Sequence, residues 1–386
     1  MSESAIFRDK SKLSPRYVPE ELPHRQREID QIVHAFSNAT GDPDKFPLTI
    51  LQVIGSAGIG KTSTVIRSSK VLEEQFAKNR LSLKTAYINL KLQGGNKFAI
   101  YRFLLERIAP QLPAQGLSAE EMLRYLLQYL RQNRQYALII LDEIDYLIKT
   151  SKDAGIIYDL TRLNEYDPDK PCNIKGVIFI ARSMEFYDKL DPAELSTLGR
   201  LPMEFHAYTI KQVSDILEDR AAYAFYPKAI GSDVIDKVAM ITTGPEVKSD
   251  VRYALDLLLY AGNLAESQGT GRVMLDHVRK VHSHMHPSIT TEEIEQLSKN
   301  HLISLVALVR ALKSKKKPYV ELKDVRLYAS ELAEQLGIKK MDIEDYLDDL
   351  ESRKLVDIKS LKAIGFHGAS LAELEPILMR KVKGEK

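Results

Sequence analysis

The sequence predicts an α/β domain built on a parallel β-sheet, followed by a small all-helical unit and a C-terminal winged-helix domain. Three observations predict this order. Over residues 46–205, short runs rich in β-branched residues alternate with amphipathic helical patterns, which is typical of a parallel sheet covered by helices. Strand patterns stop near residue 205, and helical periods continue to residue 286. Residues 287–386 then follow the order helix, turn, helix and ribbon of a winged helix.

The individual elements follow from hydrophobic periodicity and from turn residues. Residues 1–45 hold two turn-rich stretches on either side of a helical pattern at 25–36. In the α/β domain we predict strands at 48–54, 83–89, 137–141 and 176–181, with helices at 61–79, 97–110, 119–133 and 155–165. The all-helical unit contains predicted helices at 210–224, 231–243, 249–268 and 275–284. The C-terminal domain contains predicted helices at 291–313, 323–336 and 341–354, a turn at 337–340 and a β-ribbon at 355–374.

The composition limits the classes of protein to consider. A chain of 386 residues is too long for one compact core and suits two or three domains. A net charge of +2 neither demands nor excludes a polyanionic partner, so DNA binding must come from local basic clusters. The single cysteine, Cys172, excludes an internal disulfide and fits a reducing compartment. Because no apolar run approaches the roughly 20 residues that span a bilayer, and the polar start is not a signal peptide, we expect a cytoplasmic protein without membrane partners.

A glycine-rich loop follows the first predicted strand. The stretch GSAGIGKTST, residues 55–64, matches the pattern G-x-x-x-x-G-K-[ST]. Glycines in this pattern let backbone N–H groups face phosphate oxygens, Lys61 reaches the β- and γ-phosphates, and the Thr62 hydroxyl can bind Mg²⁺. A strand–helix turn without a ligand is the alternative. The candidate contacts in this loop are Gly58, Ile59, Gly60, Lys61, Thr62 and Ser63.

An acidic pair ends the third predicted strand, in the stretch LIILDEID at residues 138–145. Asp142 is expected beside Mg²⁺, and Glu143 can polarise the water that attacks the γ-phosphate. By itself this pattern also describes a strand that leads into an acidic loop. Together with the phosphate loop it predicts an ATPase that uses ATP or ADP with Mg²⁺. Lys61, Asp142 and Glu143 are the catalytic candidates, and Thr62 and Asp142 are the metal candidates.

Four stretches in order resemble a known family. They are YVPEELPHRQREI at 17–29, DEID at 142–145, KLDPAELSTLGRLPMEFHAYT at 189–209 and SDVRYALDLLLYAGNLAE at 249–266. Their order and spacing resemble the archaeal origin-recognition and helicase-loading initiators of the AAA+ superfamily, over nearly the whole chain. The resemblance implies four parts: an N-terminal segment (1–45) that closes over adenine, an AAA+ ATPase core (46–205), a helical lid (206–286) and a winged-helix DNA-binding domain (287–386).

The resemblance also implies nucleotide contacts outside the phosphate loop. Residues 18–25 would close over adenine, through Val18, Pro19, Leu22, His24 and Arg25. Tyr208 and Arg220 match positions that contact the nucleotide from the lid. Arg252 matches the second sensor, an arginine that touches the phosphates and is counted with the catalytic candidates. From the residues alone, Arg252 begins an apolar-periodic helix, so a solvated first-turn arginine remains the alternative.

Two positions depart from the family pattern. The strand after D-E-x-D ends in the family with an Asn that senses the γ-phosphate, and here Arg182 or Ser183 stands there. Many members offer a neighbouring subunit an arginine directly after L-D-P, where this chain has Ala193, with Arg200 as the nearby substitute. An arginine supplied in trans is worth about 10³-fold or more in hydrolysis rate. We therefore expect a weak ATPase with slow turnover, in which the nucleotide is held more often than hydrolysed.

Candidate DNA contacts lie in two regions. Residues 92–103 stand where the family carries an initiator-specific helix that touches DNA, which makes Lys97, Tyr101 and Arg102 candidates; a core formed by Phe98, Tyr101 and Leu105 fits equally well. In the C-terminal domain the helix within residues 339–355 is acidic and would repel phosphates, or is simply a solvated face. DNA contact is then expected at the candidates Lys315, Lys339, Lys340, Lys359, Lys362 and His367. The run KSKKK at 313–317 also fits a solvated loop.

The histidines at 282, 284 and 286 have helical ligand spacing, but no third well-placed ligand completes a tetrahedral site, so we expect a solvated helix end. The leading functional hypothesis is a replication initiator, switched by ATP and ADP, that binds duplex origin DNA and helps to recruit or load the replicative helicase, together with paralogous initiators. The alternative is a paralogue or a defence-type P-loop ATPase with weak or no origin binding that acts through protein partners.

Overall fold

The computed structural model describes residues 5–93, 96–150, 155–199, 201–285, 297–315, 317, 319–338, 342–352, 355–360, 363–366 and 371–383. Several predicted site residues lie outside this part of the chain: Arg200, Lys339, Lys340, Lys362, His286 and His367, together with the side chains of His284 and Lys359.

The chain forms two compact units, each described here by itself. The sheet unit contains Val18–Val213 and Pro245–Val251, and the helical unit contains Met1–Tyr17, Ser214–Gly244 and Arg252–Lys386. The predicted N-terminal segment is thus divided, because its first part packs in the helical unit and its remainder in the sheet unit.

The sheet unit is built on five parallel strands in the order β2-β3-β4-β1-β5. The strands are β1 (Thr49–Ile54), β2 (Ser82–Asn89), β3 (Gln135–Asp142), β4 (Ile174–Ala181) and β5 (Met203–Glu204). The helices are α1 (Gln26–Phe36), α2 (Lys61–Lys78), α3 (Leu90–Gln93), α4 (Lys97–Ile108), α5 (Ala119–Gln132), α6 (Ile144–Thr150), α7 (Gly155–Thr161) and α8 (Pro192–Leu198). The predicted parallel α/β fold is confirmed. The two-residue strand β5 was not predicted, because so short a strand has no alternation to recognise.

The core of this unit follows from the apolar runs of the central strands. All residues of β4 are buried, and in β3 only the first residue, Gln135, is not. Strands buried on both faces read as continuous apolar runs, which is the pattern expected when helices cover both sides of a parallel sheet. The register places Asp142, at the end of β3, beside Ile180 of β4 on one side and Asn89 of β2 on the other. Polar residues at the carboxyl ends of these three strands therefore lie close together.

The helical unit contains two regions. After α9 (Ile210–Ala224), which begins in the sheet unit, come α10 (Ser232–Thr243), α11 (Val251–Ser267) and α12 (Leu275–Met285). The C-terminal region contains α13 (Lys299–Lys315), α14 (Leu322–Gln335), α15 (Glu344–Ser352) and α16 (Leu371–Lys383), with strands β6 (Tyr319–Val320), β7 (Val356–Ser360) and β8 (Ala363–Phe366). The three strands form one antiparallel sheet in the order β6-β8-β7. The order of elements is that of the predicted winged helix.

Three expectations for the helical unit need correction. The predicted ribbon ends at Phe366, and α16 begins at Leu371; Pro376 inside that helix concealed its apolar period at Leu374, Leu378 and Val382, which are buried. The strand β6 lies where a loop was predicted. His282 does not belong to a solvated helix end, because its ring is buried and hydrogen-bonded to the Tyr253 hydroxyl.

Two kinds of feature are absent from the described ranges. Within them, no helix is both long enough and apolar enough to cross a bilayer. Side chains of His, Cys, Asp and Glu form no group of three or more that could hold a metal ion in the same part of the chain.

Candidate nucleotide-binding site

The phosphate loop connects β1 to the amino end of α2. Gly58 and Gly60 have φ angles of +73° and +89°, in the left-handed region that favours glycine. A Cβ on Gly58 would lie 1.8 Å from Oδ1 of Asp250, and one on Gly60 would lie 2.7 Å from the Tyr208 hydroxyl. The loop thus requires glycine for both its backbone and its close neighbours. It opens on the amino end of an 18-residue helix, where the helix dipole and the first-turn N–H groups favour an anion.

The ammonium group of Lys61 lies inside this loop. Its Nζ donates to the carbonyl oxygens of Gly55 at 2.6 Å and Ser56 at 2.7 Å, and the residue is buried. Both acceptors are neutral. A charged phosphate oxygen makes a stronger hydrogen bond to an ammonium than a carbonyl does, so the lysine is already aimed at an anion site.

Oxygen ligands for a cation converge on Asp142, which is buried at the end of β3. Its Oδ2 accepts hydrogen bonds from the Thr62 hydroxyl at 2.7 Å and the Tyr87 hydroxyl at 2.8 Å. Hydroxyl and carboxylate oxygens are the ligands that Mg²⁺ prefers, so the residues present fit this metal. Tyr87 was missed by sequence reasoning. Only the register of β2 against β3, which pairs Asn89 with Asp142, could have drawn attention to it.

Glu143 is held in an unusual conformation. Its φ of +62° is in the left-handed region, which costs a non-glycine residue about 1–3 kcal/mol. The Glu143 N–H donates to Oδ1 of Asp142 at 2.9 Å, and this hydrogen bond stabilises the turn. The side chain receives two hydrogen bonds from Arg182, from Nε to Oε2 at 3.1 Å and from Nη2 to Oε1 at 3.0 Å. The paired carboxylate raises the pKa of the Arg182 guanidinium. Of the two candidate sensors, the one in contact with Glu143 is therefore Arg182.

Arg25 joins the segment before α1 to the phosphate loop. Its guanidinium is buried and donates to the Tyr208 hydroxyl at 2.7 Å, the Ile59 carbonyl at 2.8 Å and the His206 carbonyl at 3.2 Å. Burial is the main cause that raises the pKa of the Tyr208 hydroxyl. Two of the residues assigned to the nucleotide thus contact each other and the loop.

The rest of the segment 18–25 is an irregular turn before α1. The side chains of Val18, Pro19 and Leu22 are half-buried, and His24 is exposed with a φ of +62°. These four residues lie in the sheet unit with the phosphate loop. Their contact with adenine stays a prediction.

Residues 245–251 contribute contacts that sequence reasoning missed. Val251 N–H donates to the Gly58 carbonyl at 3.2 Å, and the Ser249 hydroxyl donates to the Tyr208 carbonyl at 3.0 Å. Lys248 and Ser249 both have positive φ, at +54° and +64°. The signal that could have found this segment is its position directly before Arg252.

Two predicted lid residues lie in the helical unit. Arg220 is buried and donates to the carbonyl oxygens of Lys12 at 2.6 Å, Ser14 at 2.8 Å and Tyr17 at 3.0 Å. Nε and both terminal nitrogens of its guanidinium therefore hold the N-terminal segment, and a nucleotide contact by this residue stays a prediction. Arg252 is exposed in the first turn of α11, so its sensor role also stays a prediction.

The predicted DNA contacts around α4 are only partly accessible. Tyr101 is 1% exposed, and its hydroxyl donates to Asp159 at 2.7 Å. This corrects its assignment: Tyr101 is a core residue, like Leu105. Lys97 forms an ion pair with Asp159 at 3.0 Å. Arg102 is exposed and paired with a carboxylate one helical turn further on.

In the C-terminal region Ile343, Leu347 and Leu350 are buried and Tyr346 is half-buried, so these four residues lie on the core-facing side of the acidic helix. The exposed residues beside them are acidic: Asp342, Asp345, Asp348 and Glu351. Lys315 is half-exposed and pairs with Asp324 at 3.3 Å.

Family models match two parts of the chain. Residues 47–190 match an AAA domain, and residues 214–283 match a Cdc6 AAA+ ATPase-type lid domain. Among curated relatives, ORC1-type DNA replication protein 1 from Sulfurisphaera tokodaii is 31% identical over 354 residues, which covers 91% of this chain and 85% of that protein. The ORC1-type DNA replication protein 1 of Archaeoglobus fulgidus is 28% identical over 363 residues, covering 93% and 83%.

Solved structures resemble the chain over its whole length. Cdc6p from Pyrobaculum aerophilum superimposes with a TM-score of 0.84 at 24% identity, covering 98% of this chain and 99% of that one, and shows the same fold. The Aeropyrum pernix ORC1 protein in complex with DNA matches with a TM-score of 0.64 at 25% identity, covering 98% of each chain.

Proposed function

Because the chain belongs to the family of ORC1-type DNA replication proteins, we propose that it is a replication initiator whose bound ATP or ADP switches its activity on duplex origin DNA. The C-terminal domain and the region around α4 bind the DNA, and the bound protein helps to recruit or load the replicative helicase, together with paralogous initiators. This role belongs in the cytoplasm, on the nucleoid. The observation that carries the proposal is the phosphate loop with its Asp142–Thr62 pair, in a chain whose relatives are DNA replication proteins.

Each group of residues in the site has its own role in nucleotide binding. Lys61 exchanges two neutral carbonyl acceptors for phosphate oxygens, which are better acceptors because they are charged. Thr62 and Asp142 would hold Mg²⁺, which when bound would neutralise charge on the β- and γ-phosphates. The left-handed loop at Gly58 and Gly60 lets backbone N–H groups approach the same phosphates.

Hydrolysis depends on Glu143. Its carboxylate accepts the proton of the attacking water, whose oxygen forms a bond to the γ-phosphorus while the bond from phosphorus to the β–γ bridging oxygen breaks. We propose that turnover is slow. Ala193 offers no guanidinium to a neighbouring subunit, and Arg182 or Ser183 stands where the family has an asparagine.

The test measures duplex binding over a salt series in the presence of ATP, ADP or no nucleotide. An initiator should bind duplex DNA with log affinity falling linearly against log salt, by about 0.9 for each neutralised phosphate. The affinity should also differ between ATP and ADP, and Lys61→Ala should remove that difference. Duplex binding that is weak and insensitive to salt would contradict the proposal.

One observation favours the second candidate, a paralogue or defence-type ATPase that acts through protein partners. The exposed face of α15 is acidic where a winged helix reads DNA, so it opposes phosphates. The double substitution Asp345→Ala with Asp348→Ala distinguishes the two. On the initiator proposal, duplex affinity stays unchanged or rises. On the second candidate, duplex binding is negligible in both proteins, and the acidic face is free for a basic partner.

A further inference from the structure

The carboxylate of Glu143 is held at two points by one arginine. Arg182 Nε lies 3.1 Å from Oε2 and Nη2 lies 3.0 Å from Oε1, so each oxygen receives a hydrogen bond from the same planar group. The Glu143 side chain is 17% exposed and that of Arg182 is 50% exposed. A two-point pair of this kind fixes the carboxylate in direction as well as in position.

The strand register brings this pair together. Arg182 directly follows β4, and the residue two positions earlier, Ile180, lies beside Asp142 in the sheet. The backbone of Glu143 is also fixed, because its left-handed N–H donates to Oδ1 of Asp142. Because its backbone N–H and its carboxylate are both hydrogen-bonded, Glu143 is restrained from turning toward a water molecule while the pair persists.

Charge keeps the guanidinium in place. The Glu143 pair is the main cause of the raised pKa of Arg182, and Asp145 and Asp142 add to it through their charges. Asp145 is buried nearby. The other polar side chain at this edge is used elsewhere, because the Asn89 oxygen accepts the N–H groups of Lys91 and Leu92 at the start of α3. Among these strand-end side chains, the contact to Glu143 comes from the arginine.

A general base must present a lone pair to the water and accept its proton. In the resting pair both carboxylate oxygens accept hydrogen bonds from the Arg182 guanidinium, so neither oxygen is turned toward a water molecule. We propose that Arg182 is a positioning residue that restrains Glu143, so that the guanidinium must release the carboxylate before ATP is hydrolysed. This inference rests on the proposed ATPase function and gives slow turnover a cause within the chain itself.

The experiment compares steady-state ATP hydrolysis by the full chain and by Arg182→Ala. Exposed ion pairs are worth up to about 1 kcal/mol, which corresponds to about a fivefold change in rate. We expect kcat to rise about three- to fivefold, with KM and the affinity for a non-hydrolysable fluorescent ATP analogue unchanged within twofold. Arg182→Gln, which is closer in shape, should give the same rise. An unchanged or lower kcat in both variants would overturn the proposal.

Lys149→Ala is the matched control. Lys149 is a similarly exposed cation on α6, and it pairs with Glu185 at 3.6 Å. Removal of this charge should leave kcat unchanged, and a rise equal to that of Arg182→Ala would mean that any lost cation speeds the reaction, which overturns the specific role of Arg182.

A double-mutant cycle shows whether Arg182 acts through Glu143. In a Glu143→Gln background the residual rate should be the same with Arg182 or Ala at position 182, because there is no base to release. The same gain in both backgrounds would overturn the proposal. Absence of ATP hydrolysis by the unaltered chain would instead contradict the proposed ATPase, whereas a hydrolysing chain that Arg182→Ala does not accelerate contradicts this inference alone.

Discussion

The substitution Gly58→Ala tests how strongly the phosphate loop depends on its neighbour Asp250. The alanine would have to keep the φ of +73°. Its Cβ would lie 1.8 Å from Oδ1 and 2.7 Å from Cα of Asp250. A left-handed conformation costs a non-glycine residue about 1–2 kcal/mol. Forcing an extra methyl into a packed site costs about 1–3 kcal/mol more. We therefore expect a total loss of about 2–5 kcal/mol from the stability of the sheet unit.

Gly116→Ala separates the two contributions. Gly116 has a φ of +83°, but a Cβ there would meet no atom within 4 Å, so this variant carries only the conformational cost. Thermal unfolding of both variants is the assay. For domains of this size 1 kcal/mol shifts Tm by about 2–4 °C, so a further loss of about 2 kcal/mol should lower the Tm of Gly58→Ala by a further 4–8 °C, roughly, relative to Gly116→Ala.

Nucleotide affinity should follow the same order, since only Gly58 lies in the phosphate loop. Asp250→Ala in the Gly58→Ala background should restore part of the lost stability, because it removes the carboxylate but not the backbone contact. Equal melting temperatures for Gly58→Ala and Gly116→Ala would refute the reasoning.

Three further predictions address the site and the DNA contacts. Lys61→Ala should abolish ATP binding in an equilibrium binding assay, whereas Glu143→Gln should keep ATP bound and block its hydrolysis; hydrolysis by Glu143→Gln at the unaltered rate would contradict the assignment of the base. Tyr87→Phe removes one of two hydroxyl donors to Asp142, so the magnesium concentration that gives half-maximal ATP hydrolysis should rise about fivefold. Binding of ADP without metal should be unchanged. The same magnesium dependence in Tyr87→Phe and in the unaltered chain would count against a positioning role. Lys359→Ala with Lys362→Ala should weaken duplex binding several-fold and lower the salt slope by about one to two. A slope equal to that of the unaltered chain would exclude these two lysines as DNA contacts.

Local patterns were sufficient for the sheet and for the centre of the site. The alternation of strands and helices predicts the parallel sheet because each pattern has its own period, and the phosphate loop locates Lys61 and Thr62 because their spacing is fixed by the chain itself. The position of Asp142 was predicted because an apolar strand pattern ends there in two acidic residues. None of these inferences needed knowledge of which segments meet in space.

The remaining contacts depend on tertiary packing, which no local pattern encodes. Tyr87 reaches Asp142 only through the register of two strands that lie 53 positions apart at Asn89 and Asp142. Tyr101 has the residue type of a DNA contact and of a core residue alike, and its burial decides between them. The sequence could not decide whether Arg182 or Ser183 is the candidate sensor. Only the structure, at the end of β4, shows that the arginine contacts Glu143.

The seven residues 245–251 have a consequence for dissection of the molecule. They belong to the sheet unit, although the chain on both sides of them, Ser214–Gly244 and Arg252–Lys386, belongs to the helical unit. Each unit is therefore discontinuous, and no single cut separates them. A fragment that ends at Val213 lacks Ser249 and the Val251 N–H, and so leaves the Tyr208 and Gly58 carbonyls without the donors that they have in the full chain. Exchange of the lid between homologues is limited in the same way. Residues 245–251 would be exchanged with the lid, although they pack against the phosphate loop of the sheet unit.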